Sequence, residues 1–203
     1  VEGDPLKRVD FGGAVFSNLT GETTATYYDD DKPRFDYKAP DFAADYRLLQ
    51  KKFPDRVVEF LSGTKDEQRW LVSVYADTEP GEIYLFDRRS KKLDLQYRTR
   101  ERLPREHLAE MRIIRYKSSD GLEIPAYLTL PKGVEPKNLP LIVNPHGGPQ
   151  SRNFWGYNSY AQFWANRGYA VLQPNFRGST GFGKRFVDAG NLQWGEKMQD
   201  DLT

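Results

Sequence analysis

The 203-residue chain is long enough for one large domain or two smaller ones, and 38% hydrophobic against 29% charged residues allow a packed core under a wet surface. With 30 Lys and Arg against 29 Asp and Glu the net charge is +1, which excludes the basic footprint of a nucleic-acid binder or of a protein drawn to an anionic membrane. The absence of cysteine excludes disulfides, thiolate metal sites and a cysteine nucleophile within these residues.

No apolar run approaches the length of a membrane span, and no signal peptide is visible. The chain opens on Val1, so its compartment stays open between cytoplasm and periplasm, with a soluble protein expected in either. No metal or cofactor site is expected. The aromatic content of 14% favours sheet-rich structure, because flat rings pack well on pleated surfaces.

In chain order, residues 15–16, 24–28 and 34–37 read as strands, separated by Gly21 and by the charged turn Asp29-Asp30-Asp31-Lys32-Pro33. A helix is expected next, capped by Asp41, with Phe42, Tyr46, Leu49 and Phe53 on one face and Pro54 as its end. Residues 56–61, 70–75, 82–86 and 93–97 then form four strands at regular spacing. The link Asp77-Thr78-Glu79-Pro80-Gly81 has Pro and Gly in the order of a type II turn. Four antiparallel strands in this span match one blade of a β-propeller, and residues 12–38 read as part of a preceding blade. A plain antiparallel sheet domain fits the same pattern.

The character changes after residue 105. Residues 111–116 and 122–130 form a hairpin around Ser118-Ser119-Asp120-Gly121. Residues 139–144 are a continuous apolar run, expected as a strand buried on both faces. Residues 157–167 read as a helix packing through Tyr160, Phe163 and Trp164 and stopped by Gly168. Residues 169–172 read as a second buried strand, so that strand, helix and strand make a crossover in a parallel sheet. A further helix is expected from Trp194 to Thr203. A sheet with so few strands leaves an apolar edge exposed.

The chemistry concentrates at Asn144-Pro145-His146-Gly147-Gly148-Pro149, directly after the apolar run. Two bare glycine amides at the end of a strand suit the stabilisation of an oxyanion. The donor is expected to be the N–H of Gly147 or Gly148, on a loop bounded by His146 and Pro149. That loop, together with Tyr116-Lys117-Ser118-Ser119-Asp120-Gly121-Leu122-Glu123-Ile124, Ala165-Asn166-Arg167-Gly168-Tyr169-Ala170-Val171, Asn175-Phe176-Arg177-Gly178-Ser179-Thr180-Gly181-Phe182-Gly183 and Asn191-Leu192-Gln193-Trp194-Gly195, resembles the catalytic domain of prolyl oligopeptidase family serine peptidases. The acylaminoacyl-peptidase and dipeptidyl-peptidase-like branch is the nearest in pattern. The resemblance covers residues 55–203 well and the first fifty poorly.

The resemblance implies a mixed fold: C-terminal blades of a β-propeller over residues 1–105, then the N-terminal half of an α/β-hydrolase domain over 106–203. It implies hydrolysis of amide bonds in short peptides through an acyl-enzyme, with a serine on a Gly-x-Ser-x-Gly elbow, a histidine and an aspartate. In some relatives a tyrosine hydroxyl stands at the position of His146, so here a backbone donor is implied. No Gly-x-Ser-x-Gly occurs in this sequence, Ser179 fails the pattern, and neither His107 nor His146 fits the triad base. The chain is therefore expected to end before the catalytic serine and to be inactive alone, slower than a complete enzyme by about six orders of magnitude.

Other readings stand beside this one. A non-catalytic propeller module would use the sheet face for binding, and an esterase or lipase would use the same oxyanion chemistry. Gly178-Ser179-Thr180-Gly181-Phe182-Gly183-Lys184 approaches a phosphate-binding loop, but Arg185 stands where a hydroxyl for magnesium is required. Arg177 is expected to brace its loop by hydrogen bonds, His107 to be solvated, and most of Phe154, Trp155 and Tyr157 to be core. Asp29-Asp30-Asp31 reads as a charged turn ahead of a cation site, and Asn18-Leu19-Thr20 as a chance match to a glycosylation acceptor.

Overall fold

Alternating apolar residues and short polar turns give the first part of the chain two antiparallel meanders. In the computed structural model, which describes residues 2–203, β1 (Gly13–Phe16), β2 (Thr23–Asp29) and β3 (Pro33–Tyr37) form a three-stranded sheet in sequence order. Helix α1 (Pro40–Lys52) follows, and β4 (Val57–Gly63), β5 (Arg69–Ala76), β6 (Glu79–Asp87) and β7 (Lys92–Arg98) form a second sheet, again in sequence order. All three sheets of the described residues are open, and none closes into a barrel. Among the described residues no helix is long and apolar enough to cross a membrane.

Helix α1 starts two residues earlier than expected. Ala39 is the N-cap and makes no side-chain cap, Pro40 takes the first turn where its missing N–H costs nothing, and Asp41 lies within that turn rather than capping it. Its apolar face carries Phe42 and Leu49 onto Val58, Trp70, Val72, Val74 and Phe86 of the second sheet, with Tyr46 and Phe53 at the margin. One buried position on that face is charged. Asp45 is 0% exposed, and its carboxylate accepts from Arg88 Nε and Lys91 Nζ at 2.6 Å each, which ties the helix to the turn between β6 and β7.

The expected type II turn is tighter than its sequence suggests. The reversal is made by Asp77 and Thr78, and Pro80 and Gly81 lie inside β6. There they form a bulge, since Val74 faces Glu82 while Ala76 faces Glu79. A bulge accepts a proline that cannot donate to the ladder.

The third sheet has the order β10-β11-β9-β8, built from β8 (Met111–Lys117), β9 (Glu123–Thr129), β10 (Leu141–Val143) and β11 (Ala170–Pro174). Strands β10 and β11 are parallel, joined through α2 (Ser159–Ala165), while β9 runs antiparallel to both β11 and β8. The β10 strand is not buried on both faces. It is an edge strand three residues long, and Leu141 and Val143 are 55% and 37% exposed. A continuous apolar run fits two covered faces, but the face of β10 that carries Leu141 and Val143 is left open here.

The packing face of α2 also differs from expectation. Ala161, Gln162 and Ala165 are buried, while Tyr160 and Phe163 are exposed. Small residues let the helix approach β11 and β9 closely, and the large rings point away. Asn158 caps α2 by accepting from Ala161 N–H, and Gly168, at φ +89°, terminates it by donating to Ala165. Beyond β11 the chain makes two short helices, α3 (Lys184–Asp188) and α4 (Lys197–Asp200), and the helix expected from Trp194 to Thr203 is only the four residues of α4.

Candidate oxyanion site

Parallel neighbours place their C-terminal loops at the same sheet edge. Val143 of β10 pairs with Leu172 of β11, and Asn144 N–H extends the pairing by donating to Leu172 O. The loop 144–149 and the loop 175–183 therefore emerge side by side. The sequence pointed to the first loop alone; the parallel pairing is the signal that joins them.

Gly147 and Gly148 lie exposed at the mouth of this edge, and neither amide donates to another group of the described residues. Gly148 has φ +139°, and a Cβ there would stand 2.8 Å from Gln150 N, so only glycine fits without moving the loop. A Cβ on Gly147 would meet nothing within 4 Å. Pro149 is partly buried against Gly178 and closes the turn by accepting from Ser151 N–H.

His146 is turned inward. Its ring stacks on Phe176 with centroids 4.6 Å apart and planes 14° from parallel. Nδ1 lies 2.9 Å from Gly147 O and Nε2 2.7 Å from Ser179 Oγ. Burial pushes the imidazole below its ordinary value and the Arg152 charge adds to this, against the Gly147 carbonyl, which favours the proton. A serine hydroxyl on a histidine has the outline of a nucleophile and its base, but Ser179 is 0% exposed and a carbonyl, not a carboxylate, faces the far nitrogen.

The supporting loops are pinned by buried polar groups. Asp201 accepts from Arg177 N–H and Nε at 2.9 Å on one oxygen and from Nη2 at 2.8 Å on the other. Arg177 also reaches Asp120 through Nη1 at 2.8 Å, and its guanidinium holds that carboxyl down at about 2. Arg177 thus braces its loop against the β8–β9 turn and α4, as its sequence position suggests. Asn153 and Asn175 exchange hydrogen bonds, Asn153 N–H to Asn175 Oδ1 at 2.7 Å and Asn175 Nδ2 to Asn153 O at 3.3 Å. Arg152, 7% exposed, donates Nη1 to Asp29 O at 2.6 Å and lies over the rings of Phe154 and Phe182. It links the first sheet to the glycine loop.

Several other sequence features find structural roles. Trp155 is buried with Val57, Ala76, Met111 and Tyr127, whereas Phe154 is exposed. His107 is exposed in the connection between β7 and β8. The carboxylates of Asp30 and Asp31 pair with Arg8, and Asp31 also with Arg115. In the glycine-rich stretch, Gly183 N–H donates to Asp10 Oδ2, so a carboxylate sits where a phosphate would be cradled, and the helix that follows has only five residues.

Residues 155–203 match the profile described as "Prolyl oligopeptidase family". Dipeptidyl aminopeptidase BIII of Pseudoxanthomonas mexicana is 37% identical over 202 residues, 96% of this chain and 29% of that protein. This chain belongs to the prolyl oligopeptidase family. Dipeptidyl peptidase family member 6 of Caenorhabditis elegans is 34% identical over 192 residues, 84% of this chain and 26% of its own length. Two similar solved structures are one from a study of two prolyl endopeptidases (TM-score 0.69, 19% identity, 99% of this chain and 29% of that one) and Pyrococcus horikoshii acylaminoacyl peptidase (TM-score 0.65, 20% identity, 96% and 30%). These support the propeller and α/β-hydrolase architecture of prolyl oligopeptidase-like proteins for its sheets. The chain spans less than a third of the length of the curated relatives it matches.

Proposed function

We propose that this chain is part of a serine-type peptidase of the family and supplies one half of its oxyanion site. In this reading residues 1–105 are propeller blades and 106–203 the first part of the hydrolase domain. The serine, aspartate and histidine of the triad come from polypeptide outside the 203 residues. The observation that carries the reading is the pair of exposed, unpartnered amides at Gly147 and Gly148 on the loop that follows β10.

Attack of a serine hydroxyl on a peptide carbonyl turns the carbonyl oxygen into an anion. A backbone N–H held at that point is worth about 3–4 kcal/mol to the transition state, because it needs no reorganisation as charge develops. The second donor would be the amide that follows the serine. Short peptides are the substrate class, reaching the site past the propeller blades, and the names of the dipeptidyl peptidase relatives agree with that size. The 203 residues alone are inactive, since they hold the oxyanion loop without nucleophile or base.

A fluorophosphonate probe applied to the full-length protein tests the reading. Labelling of one serine outside residues 1–203, blocked by an aminoacyl anilide substrate, is expected. A full-length protein that takes no label is not a serine hydrolase, and the reading fails.

A further inference from the structure

The loop that carries the two glycine amides is held from behind by a contact that no sequence motif announced. We infer that Ser179 is a positioning residue which, through the His146 ring, fixes the plane of the Gly147–Gly148 peptide and so aims the Gly148 N–H into the oxyanion site. The inference rests on the oxyanion reading of the loop and adds which amide acts and what holds it.

The argument starts from the peptide unit. The Gly147–Gly148 bond is trans, so its C=O and N–H point in opposite directions. His146 Nδ1 lies 2.9 Å from Gly147 O. A carbonyl only accepts, so this contact requires a proton on Nδ1. With the carbonyl drawn toward the ring, the Gly148 N–H faces away from it, on an exposed residue where no internal acceptor takes it.

The ring cannot turn to break this arrangement without cost. Phe176, 7% exposed, stacks on its face, and fully buried Ser179 meets Nε2 at 2.7 Å. Ser179 Oγ also lies 2.6 Å from Phe176 O, a second group that can only accept. Filling the three contacts takes three protons, the count of an imidazolium and one hydroxyl. Burial and the nearby Arg152 charge favour the neutral ring, which brings one proton fewer. In that form the hydroxyl proton turns to Nε2, because Phe176 O already accepts from Ser179 N–H whereas Gly147 O has no donor but the ring among the described residues. Ser179 is the only hydroxyl in contact with the ring among the described residues, so it selects the tautomer that holds Gly147 O.

The position of Ser179 is in turn secured by its loop. Its N–H donates to Phe176 O, Thr180 N–H donates to Ser151 O, and Arg177 of the same loop is bound to Asp201 from both main chain and side chain. The hydroxyl is thus a fixed point against which the more exposed glycine loop is set.

In the full-length protein the imidazole nitrogens of His146 are read by long-range proton–nitrogen NMR, assigned as the signals that a His146→Asn variant lacks. The neutral His146 is expected to carry its proton on Nδ1; a neutral ring protonated on Nε2 overturns the inference, and this result needs no variant of Ser179. Ser179→Ala is expected to lose that preference and to move the Gly148 amide resonance. In the full-length enzyme the same substitution is expected to lower kcat by about tenfold to a hundredfold with KM unchanged, as for a catalytic donor displaced by a fraction of an ångström to an ångström. An unchanged tautomer and an unchanged kcat in Ser179→Ala overturn it. The NMR result does not depend on catalysis, so a protein that takes no fluorophosphonate label but shows the Nδ1 proton would defeat the peptidase reading and leave the contact standing.

Discussion

Gly147 and Gly148 are neighbours of the same type with different freedom. Gly148 occupies a left-handed backbone conformation with Gln150 N within clash distance of a Cβ, and Gly147 has open space around it. Gly148→Ala should therefore displace the loop and lower kcat of the full-length enzyme by about a hundredfold to a thousandfold, the effect of losing one oxyanion donor. Gly147→Ala, measured in the same assay, should lower it far less. The Arg177–Asp201 pair is the buried charge behind this loop, with side chains 6% and 0% exposed. Asp201→Ala leaves a guanidinium without its main partner and should destabilise the chain by about 3–5 kcal/mol in urea unfolding. The Asp120 contact behaves differently because its carboxylate is partly exposed. Its carboxyl is lowered to about 2 by the hydrogen bond from Arg177. A depressed carboxyl stabilises the folded state fully above its unfolded value of 3.8 and loses that contribution as pH falls through about 2. Asp120→Asn should accordingly remove part of the acid sensitivity of stability between those values, seen as a flatter unfolding-midpoint profile.

At the scale of elements, patterning located nearly every strand, because period-two alternation bounded by turn residues leaves little choice. The hairpin of β8 and β9 and the meander from β4 to β7 were legible for that reason. Two features were not. The exposed rings of α2 share one side with helical spacing, and apolar spacing says which residues share a face without saying which face meets the sheet. The Ser179–His146 contact joins residues 33 apart through the parallel pairing of β10 and β11, which no local window contains. The buried face of α2 carries a polar device of its own. Gln162 accepts from Ala109 N–H at 2.8 Å and donates to Ala109 O at 2.7 Å, fixing the connection that leads from the second sheet into the third. Gln162→Leu leaves both groups buried and unpaired, at about 1–3 kcal/mol each. Hydrogen exchange should show the Ala109 amide losing protection while the β4–β7 amides keep theirs; equal loss across both sheets would mean the whole fold depends on this residue.

For the whole molecule, the three sheets meet around Val57, Ala76, Met111, Tyr127 and Trp155, and Arg152 bridges the first sheet to the glycine loop. The oxyanion loop is therefore set by contacts from both halves of the chain. The opposite side of the third sheet is unlike a finished surface. Leu141 and Val143 lie exposed on the edge strand β10, and Tyr160 and Phe163 stand out from α2. The 203-residue chain should self-associate through this edge, and Leu141→Lys should reduce the association seen by light scattering without altering the unfolding midpoint. The sequence announced an apolar edge but not that β10 itself would be the edge strand, since a run of apolar residues does not record how many neighbours it has. The account as a whole turns on the Gly148 amide. Its proton and nitrogen resonances can be followed in full-length enzyme as a peptidyl chloromethyl ketone or phosphonate converts the active serine to a tetrahedral adduct. A large downfield movement of Gly148, with a smaller change at Gly147, is predicted. A Gly148 amide that stays where it was in the free enzyme would contradict the assignment of this loop as the oxyanion site.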